Sequence, residues 1–215
     1  MNAFDLPDLF IGDDFMETVE NDEAEKKKAT AYRTKTKRHA RKAKNEQTLD
    51  EILPPEIEEG DSWHVLSSGD VDSLSFLNHI LKTNVLDYCM FSTWCMAMGD
   101  VDQIIEHIEA GRIKACDAYL GEIFPNQYSD EYEKLVEYFK KTKVGRVAVF
   151  RNHSKIFLCR SGVSAWVIES SANINTNPRT ENTVITCDNG LFNHHKEYFD
   201  GIKSFNKEFK MWKPQ

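Results

Sequence analysis

The stretch RNHSKIFLCRSGVSAWVIESSANINTNPRTENTVI, residues 151–185, decides how the rest of the chain is read. Its apolar runs are short, rich in β-branched and aromatic residues, and separated by turn residues, which predicts consecutive strands. Polar side chains gather where those runs begin and end. Side chains alternate between the two faces of a strand, so His153 and Lys155 are expected on one side, and Ser171 and Asn173 obey the same rule on a following strand. Glu181 arrives on the next segment.

An imidazole, an ammonium, a hydroxyl, an amide and a carboxylate at one sheet edge suit a phosphodiester. The imidazole is nucleophilic near neutral pH, and the ammonium offsets charge gathering on phosphate oxygens during transfer. Amide and hydroxyl donate hydrogen bonds to the same oxygens. A carboxylate on the far ring nitrogen would fix the imidazole tautomer. There is a plainer reading: a His and a Lys at a strand end are most often solvated, and Asn173 sits near Asn175, Asn177 and Pro178 in a segment full of turn chemistry.

Upstream, strands and helices alternate. WHVLSS and VLDYCMFSTW read as strands, and Asp70 to Lys82 as a helix with Leu74, Leu77 and Leu81 on one face. Asp100 is expected to cap a helix in which Val101, Ile104, Ile105 and Ile108 recur at helical spacing up to Gly111. KACDAYLGEIF reads as a strand, and a helix from Ser129 stops near Gly145. Four strand-like runs follow, RVAVFR, SKIFLC, AWVIESS and NTVITC, and then a helix from about Gly190 to Lys210. That order predicts an α/β fold, a mixed sheet flanked by helices.

The first 57 residues have a different character. Residues 1–25 hold nine acidic and no basic side chains, and residues 26–44 hold ten basic and no acidic ones. Such blocks rarely fold alone, so a disordered or partly helical tail is expected. Residues 45–57, with Pro54 and Pro55, read as a linker, and the main domain as 58–215. The net charge of −8 argues against a uniformly basic nucleic-acid binder. The basic block alone could still gain affinity for a polyanion by counterion release, through Lys26, Lys27, Lys28, Arg33, Lys35, Lys37, Arg38, Arg41, Lys42 and Lys44. Phe4, Leu6, Leu9, Phe10, Ile11 and Phe15 punctuate the acidic block, a candidate segment for a protein partner. The five cysteines are widely spaced and lack metal-binding spacing, so they read as buried thiols. No signal-like or membrane-spanning run is seen, and the expectation is a cytoplasmic protein.

On these residues the chain resembles the phospholipase D superfamily, whose signature is HxK, four residues, Asp, then a GSxN-like segment and a downstream Glu. His153-Ser154-Lys155 matches HxK, Ser170 to Asn173 resembles GSxN, and Glu181 takes the downstream carboxylate position. In strand and helix order the resemblance spans about residues 60–210. There are two departures: Arg160 stands where the signature has Asp, and Ser170 where it has Gly. By strand parity Arg160 points away from His153 and Lys155. Tyrosyl-DNA phosphodiesterases similarly dispense with that Asp.

The resemblance implies a metal-independent phosphodiesterase that needs no cofactor, with catalytic residues His153, Lys155, Ser171, Asn173 and Glu181. Single-motif members pair two chains, which implies a homodimer in which one His153 forms a phosphohistidine and the other handles protons. A nuclease is the expected activity, given the basic block. Two rivals are a catalytically silent nucleic-acid-binding module and a phospholipid-cleaving enzyme.

Overall fold

The computed structural model describes residues 30–35, 38–43, 49–68, 71–174 and 179–205, with backbone only for 30–43. Its elements are β1 (Thr30–Lys35), β2 (Arg38–Ala43), α1 (Leu49–Ile52), β3 (Ser62–Ser67), α2 (Ser73–Leu81), β4 (Tyr88–Thr93), α3 (Met98–Glu109), β5 (Cys116–Gly121), α4 (Phe124–Gln127), α5 (Ser129–Thr142), β6 (Gly145–Phe150), β7 (Ile156–Ser161), β8 (Ser164–Ser170), β9 (Glu181–Cys187) and α6 (Asn189–Asp200).

The strands form one mixed sheet in the order β2-β1-β3-β9-β8-β7-β4-β5-β6. β4, β5 and β6 run parallel, joined by helical crossovers, and the remaining neighbours are antiparallel. Parallel strands covered on both faces carry continuous apolar runs. β4 and β5 fit that rule, since all of their residues are buried. Alternate residues then serve two cores. Cys89, Phe91, Cys116, Ala118, Val147, Phe157 and Cys159 face the layer that includes α2, α3 and α5. Met90, Tyr119, Ala148, Leu158 and Val167 face α6, whose Phe192 and Phe199 close the second core.

The α/β class and the strand and helix order expected from sequence are present, with local differences. α3 starts at Met98, and Asp100 serves it from the third helical position, accepting the Ala97 N–H at 2.8 Å. α2 is capped by Asp72, which accepts the Ser75 N–H at 2.8 Å, and α6 by Asp188, which accepts the Leu191 N–H at 2.7 Å. α6 ends at Asp200, short of the expected Lys210, and residues 206–215 lie outside the described residues.

Two features of the early chain go beyond what its sequence announced. Part of the basic block forms β1 and β2, which pair with each other and, through β1, with β3. An existing sheet edge supplies the hydrogen bonds that a charge run lacks on its own. The expected linker also contributes to the core: Leu49, Ile52, Leu53 and Ile57 are buried, and the Trp166 indole N–H donates to the Ile57 carbonyl at 3.0 Å. Pro54 and Pro55 do end α1, but the chain beyond them packs on the sheet. The acidic residues 1–25 lie outside the described residues. All five cysteines are buried free thiols, and among the described residues no helix is long and apolar enough to cross a membrane.

Beneath α6 lies a charged cluster that sequence alone did not suggest. Arg146, 1% exposed, places Nε 3.1 Å from Asp117 Oδ2 and Nη2 2.8 Å from Asp200 Oδ1, and it also donates to the Tyr119 hydroxyl. Tyr88 donates to Asp117 at 2.8 Å, and Lys196 reaches Asp200 at 2.7 Å. Burial pushes the Asp117 carboxyl above its ordinary range, against the pull of Arg146. At Gly145, beside Arg146, a Cβ would sit 1.6 Å from the Cys116 carbonyl oxygen, so only glycine lets β6 approach β5 here.

Asp117→Ala takes away the more deeply buried of the guanidinium's two carboxylates and leaves the Tyr88 hydroxyl without its acceptor, and is expected to cost about 3 kcal/mol, measured by chemical denaturation. His107 gives a second prediction. It is buried with Nε2 2.8 Å from Asn78 Oδ1, and burial, helped by Arg112, pushes its pKa down from 6.5 to about 4. Between those values the unfolded chain binds a proton that the folded chain refuses. Stability is therefore fully present above pH 6.5 and declines as pH falls toward 4, by on the order of 2 kcal/mol. Urea unfolding at pH 7 and pH 4.5 checks this, and His107→Gln should flatten the difference.

Candidate active site

Strand ends converge where β4, β5 and β6 finish and β7 and β9 begin. Residues 151–155 link β6 to β7, and Ser170 at the end of β8 donates its N–H to the Lys155 carbonyl at 2.9 Å. Ser171 N–H donates to the Asn182 carbonyl at 2.9 Å. The segments carrying Lys155, Ser171 and Glu181 are therefore neighbours across the sheet, in the crevice outside the carboxyl ends of the parallel strands where α/β sheets bind ligands.

His153 and Lys155 meet, though not as alternating residues of a strand. Segment 151–155 leaves the ladder because Asn152 folds it into a turn. Its Oδ1 accepts the Ser154 N–H at 2.9 Å and the Ser154 hydroxyl at 2.7 Å. Its Nδ2 donates to Ser92 Oγ at 2.8 Å and to the Tyr119 carbonyl at 3.1 Å, and its N–H to Glu122 at 3.2 Å. Ser92 and Ser154 hydroxyls lie 2.6 Å apart. Gly121 allows the close approach: a Cβ there would stand 3.0 Å from the Trp94 ring and 3.2 Å from the Asn152 carbonyl oxygen.

On this base His153 is exposed and Lys155 is buried. The ammonium lies 2.9 Å from His153 Nδ1 and donates to the His153 carbonyl at 2.8 Å. An ammonium only donates, so that ring nitrogen accepts. The Trp94 ring packs on the imidazole at 5.2 Å between centroids. Burial holds the Lys155 ammonium below the usual lysine range, with Cys95 and Glu181 pulling it back up. Glu181 is thus close enough to be felt.

The other expected residues are arranged differently. Glu181 accepts a hydrogen bond from the Ser171 hydroxyl, and Ser171 Oγ accepts the Asn182 N–H at 2.9 Å. Among the described residues no carboxylate bonds to His153, whose ring partner is Lys155. Asn173 follows β8 in a loop, with its carbonyl accepting the Ser73 hydroxyl at 3.0 Å, while its side-chain Oδ1 is buried and unpartnered among the described residues. Arg160 packs over the Phe192 ring at 4.1 Å and donates to Asn193 at 2.9 Å, which ties it to α6. Of the candidate nucleic-acid contacts, Arg33, Lys35, Arg38, Arg41 and Lys42 fall on β1 and β2, and Lys26, Lys27, Lys28, Lys37 and Lys44 lie outside the described residues.

Sequence reasoning missed a neighbouring cavity. A space of about 420 Å³ opens beside the turn, lined by Arg151, His153, Ser154, His194, His195 and Tyr198 among others. It also missed Asn152. Asn152 carries no recognisable pattern, since its partners lie about 30 and 60 residues away.

No family model matches the chain, and no curated protein does. Among solved structures it is similar to an archaeal chromatin protein whose structure shows a novel mode of DNA binding, at 16% identity and TM-score 0.46, over 70% of this chain and 54% of that one. It is similar to phosphatidylserine synthase from Haemophilus influenzae, at 13% identity and TM-score 0.48, over 76% of this chain and 42% of that one. It is also similar to polyphosphate kinase from Porphyromonas gingivalis, at 16% identity and TM-score 0.45, over 72% of this chain and 24% of that one. The chain spans about half the length of these proteins, or less.

Asn152→Ala removes the side-chain bonds that shape the turn and leaves buried partners unmet. A loss of about 2–4 kcal/mol is expected, measured by urea denaturation.

Proposed function

We propose that the chain is a metal-independent phosphodiesterase, with a nuclease favoured, that works through a phosphohistidine at His153. The supporting observation is the exposed imidazole set against a buried ammonium at the strand ends. In the free protein Lys155 occupies a ring nitrogen of His153. A phosphate oxygen is a stronger acceptor for that ammonium, so an arriving phosphodiester would draw Lys155 to itself and release the ring's electron pair for attack. Lys155 then offsets the charge developing on phosphorus-bound oxygens. Ser171, Asn173 and Glu181 stand at the neighbouring strand ends, where Asn173 and Ser171 would orient the substrate.

Nucleic acid is the favoured substrate because of where the basic block attaches. Thr30 pairs with Leu66 and with Ala43, Leu66 pairs with Asn182, and Asn182 follows Glu181. The end of the hairpin at Thr30 and Ala43 therefore shares the sheet edge that bears the candidate site. Lys26, Lys27 and Lys28 precede Thr30 in sequence. A polyanion crossing that edge would meet hairpin and His153 together. The site is read as shared by two chains, because the HxK run at the strand ends supplies one imidazole, the run from His194 to Lys196 lies on a helix, and the reaction uses two imidazoles.

One observation favours a silent binding module instead: among the described residues His153 has no carboxylate partner to support an imidazolium. Incubating labelled oligonucleotide with protein and chelator, then denaturing, separates the two readings. The enzyme gives a covalent adduct mapping to His153, and His153→Asn lowers cleavage at least about 1,000-fold while binding persists. Equal binding by both proteins, with neither adduct nor cleavage, establishes the module. Turnover of phosphatidylcholine with none of oligonucleotide establishes the lipid-cleaving reading.

A further inference from the structure

His194 heads a second HxK run, with Lys196, but on a helix, α6, where a two-residue spacing does not put side chains on one face; it and its neighbour His195 both line the cavity that His153 lines. The two differ in setting. His194 is exposed, whereas the His195 side chain is 16% exposed and places Nε2 3.3 Å from Glu169 Oε1. Glu169 lies on β8, where it pairs in register with Ile156, the residue after Lys155. A carboxylate holding one ring nitrogen leaves the other to carry a proton, the arrangement used by general acid–base imidazoles. No hydrogen bond to Nδ1 of His195 is present among the described residues.

We infer that His195, positioned by Glu169, is the second imidazole of the reaction, supplied by the same chain across a cavity of about 420 Å³. This rests on the phosphodiesterase reading and replaces its need for a second copy. The partners of the two rings divide the roles. The ammonium beside His153 brings no base to that ring, which suits a nucleophile, and the carboxylate beside His195 suits a proton carrier.

In the first step a nitrogen of His153 forms a bond to phosphorus while the bond from phosphorus to the leaving oxygen breaks. That oxygen takes the proton from Nδ1 of His195. In the second step neutral His195 takes a proton from water, the resulting hydroxide forms the new phosphorus–oxygen bond, and the phosphorus–nitrogen bond breaks. His153 returns as a neutral ring and His195 regains its proton. Arg151 and Tyr198, on the same walls, would receive the leaving segment, a cation for the next phosphate and a ring for a base.

The experiment compares a substrate whose leaving group departs without a proton, bis(4-nitrophenyl) phosphate, with an ordinary oligonucleotide. His195→Asn is expected to release about one nitrophenolate per chain in a burst and then stall, with the phosphoryl group trapped on His153. Steady turnover falls at least about 100-fold, and cleavage of the oligonucleotide is lost without a burst. Glu169→Gln, a milder change, is expected to slow the oligonucleotide more than the nitrophenyl ester. Near-normal oligonucleotide turnover by folded His195→Asn overturns the inference and points to His153 of the partner subunit. Loss of the nitrophenyl burst in that variant, at an unchanged melting temperature, also overturns it, because a pure proton carrier is not needed there. If the unaltered chain neither turns over nor forms an adduct with either substrate, the phosphodiesterase reading fails, and this inference with it.

Discussion

A guanidinium sealed from water sets the terms for the α6 side of the molecule. Arg146 sits in β6, borrows carboxylates from β5 and from the end of α6, and leans on Tyr119, while Tyr88 donates to the β5 carboxylate. Taking these charges out of water is expensive, and the cost is offset only while the geometry is kept. The cluster therefore acts as a register for α6: slide the helix by one turn and Asp200 leaves the guanidinium. Because α6 also carries His194, His195 and Tyr198, the same constraint fixes one wall of the cavity opposite His153. Stability and site geometry are joined through one side chain.

The turn at 151–155 supplies the other wall. Asn152 converts a would-be strand into a platform, so that neighbours only two residues apart have opposite environments: His153 faces solvent and Lys155 is buried. That contrast carries chemical meaning. A buried ammonium is poorly solvated and seeks acceptors, and beside the His153 carbonyl the one it finds is the imidazole that the reaction would use. Free protein and substrate-bound protein would therefore differ in what Lys155 holds, with no larger rearrangement required.

Much of the architecture was legible because it depends on local patterns. Runs such as VLDYCMFSTW and RVAVFR announce strands buried on both faces, and Val101, Ile104, Ile105 and Ile108 announce α3 by their spacing. The pairing of His153 with Lys155 was legible for the same reason, although its cause turned out to be a turn and not the alternation of a strand. What escaped notice is what depends on distant partners. Nothing in Arg146 or Asp117 marks them as a buried pair, since a charge inside a strand run looks like an exception until its partner is located. Glu169 and His195 are 26 residues apart. Strands β1 and β2 were hidden because charge density masks strand propensity, and the core role of Leu49, Ile52, Leu53 and Ile57 was hidden behind two prolines.

Placing β2 outermost has a consequence for how copies of this protein meet. Among the described residues no strand pairs with its outer side, and such an edge is the usual invitation for another chain to add a strand. Arg38, Arg41 and Lys42 lie along this border, so two such borders approaching each other bring cations against cations. Like charges on this border weigh against two copies joining their sheets edge to edge.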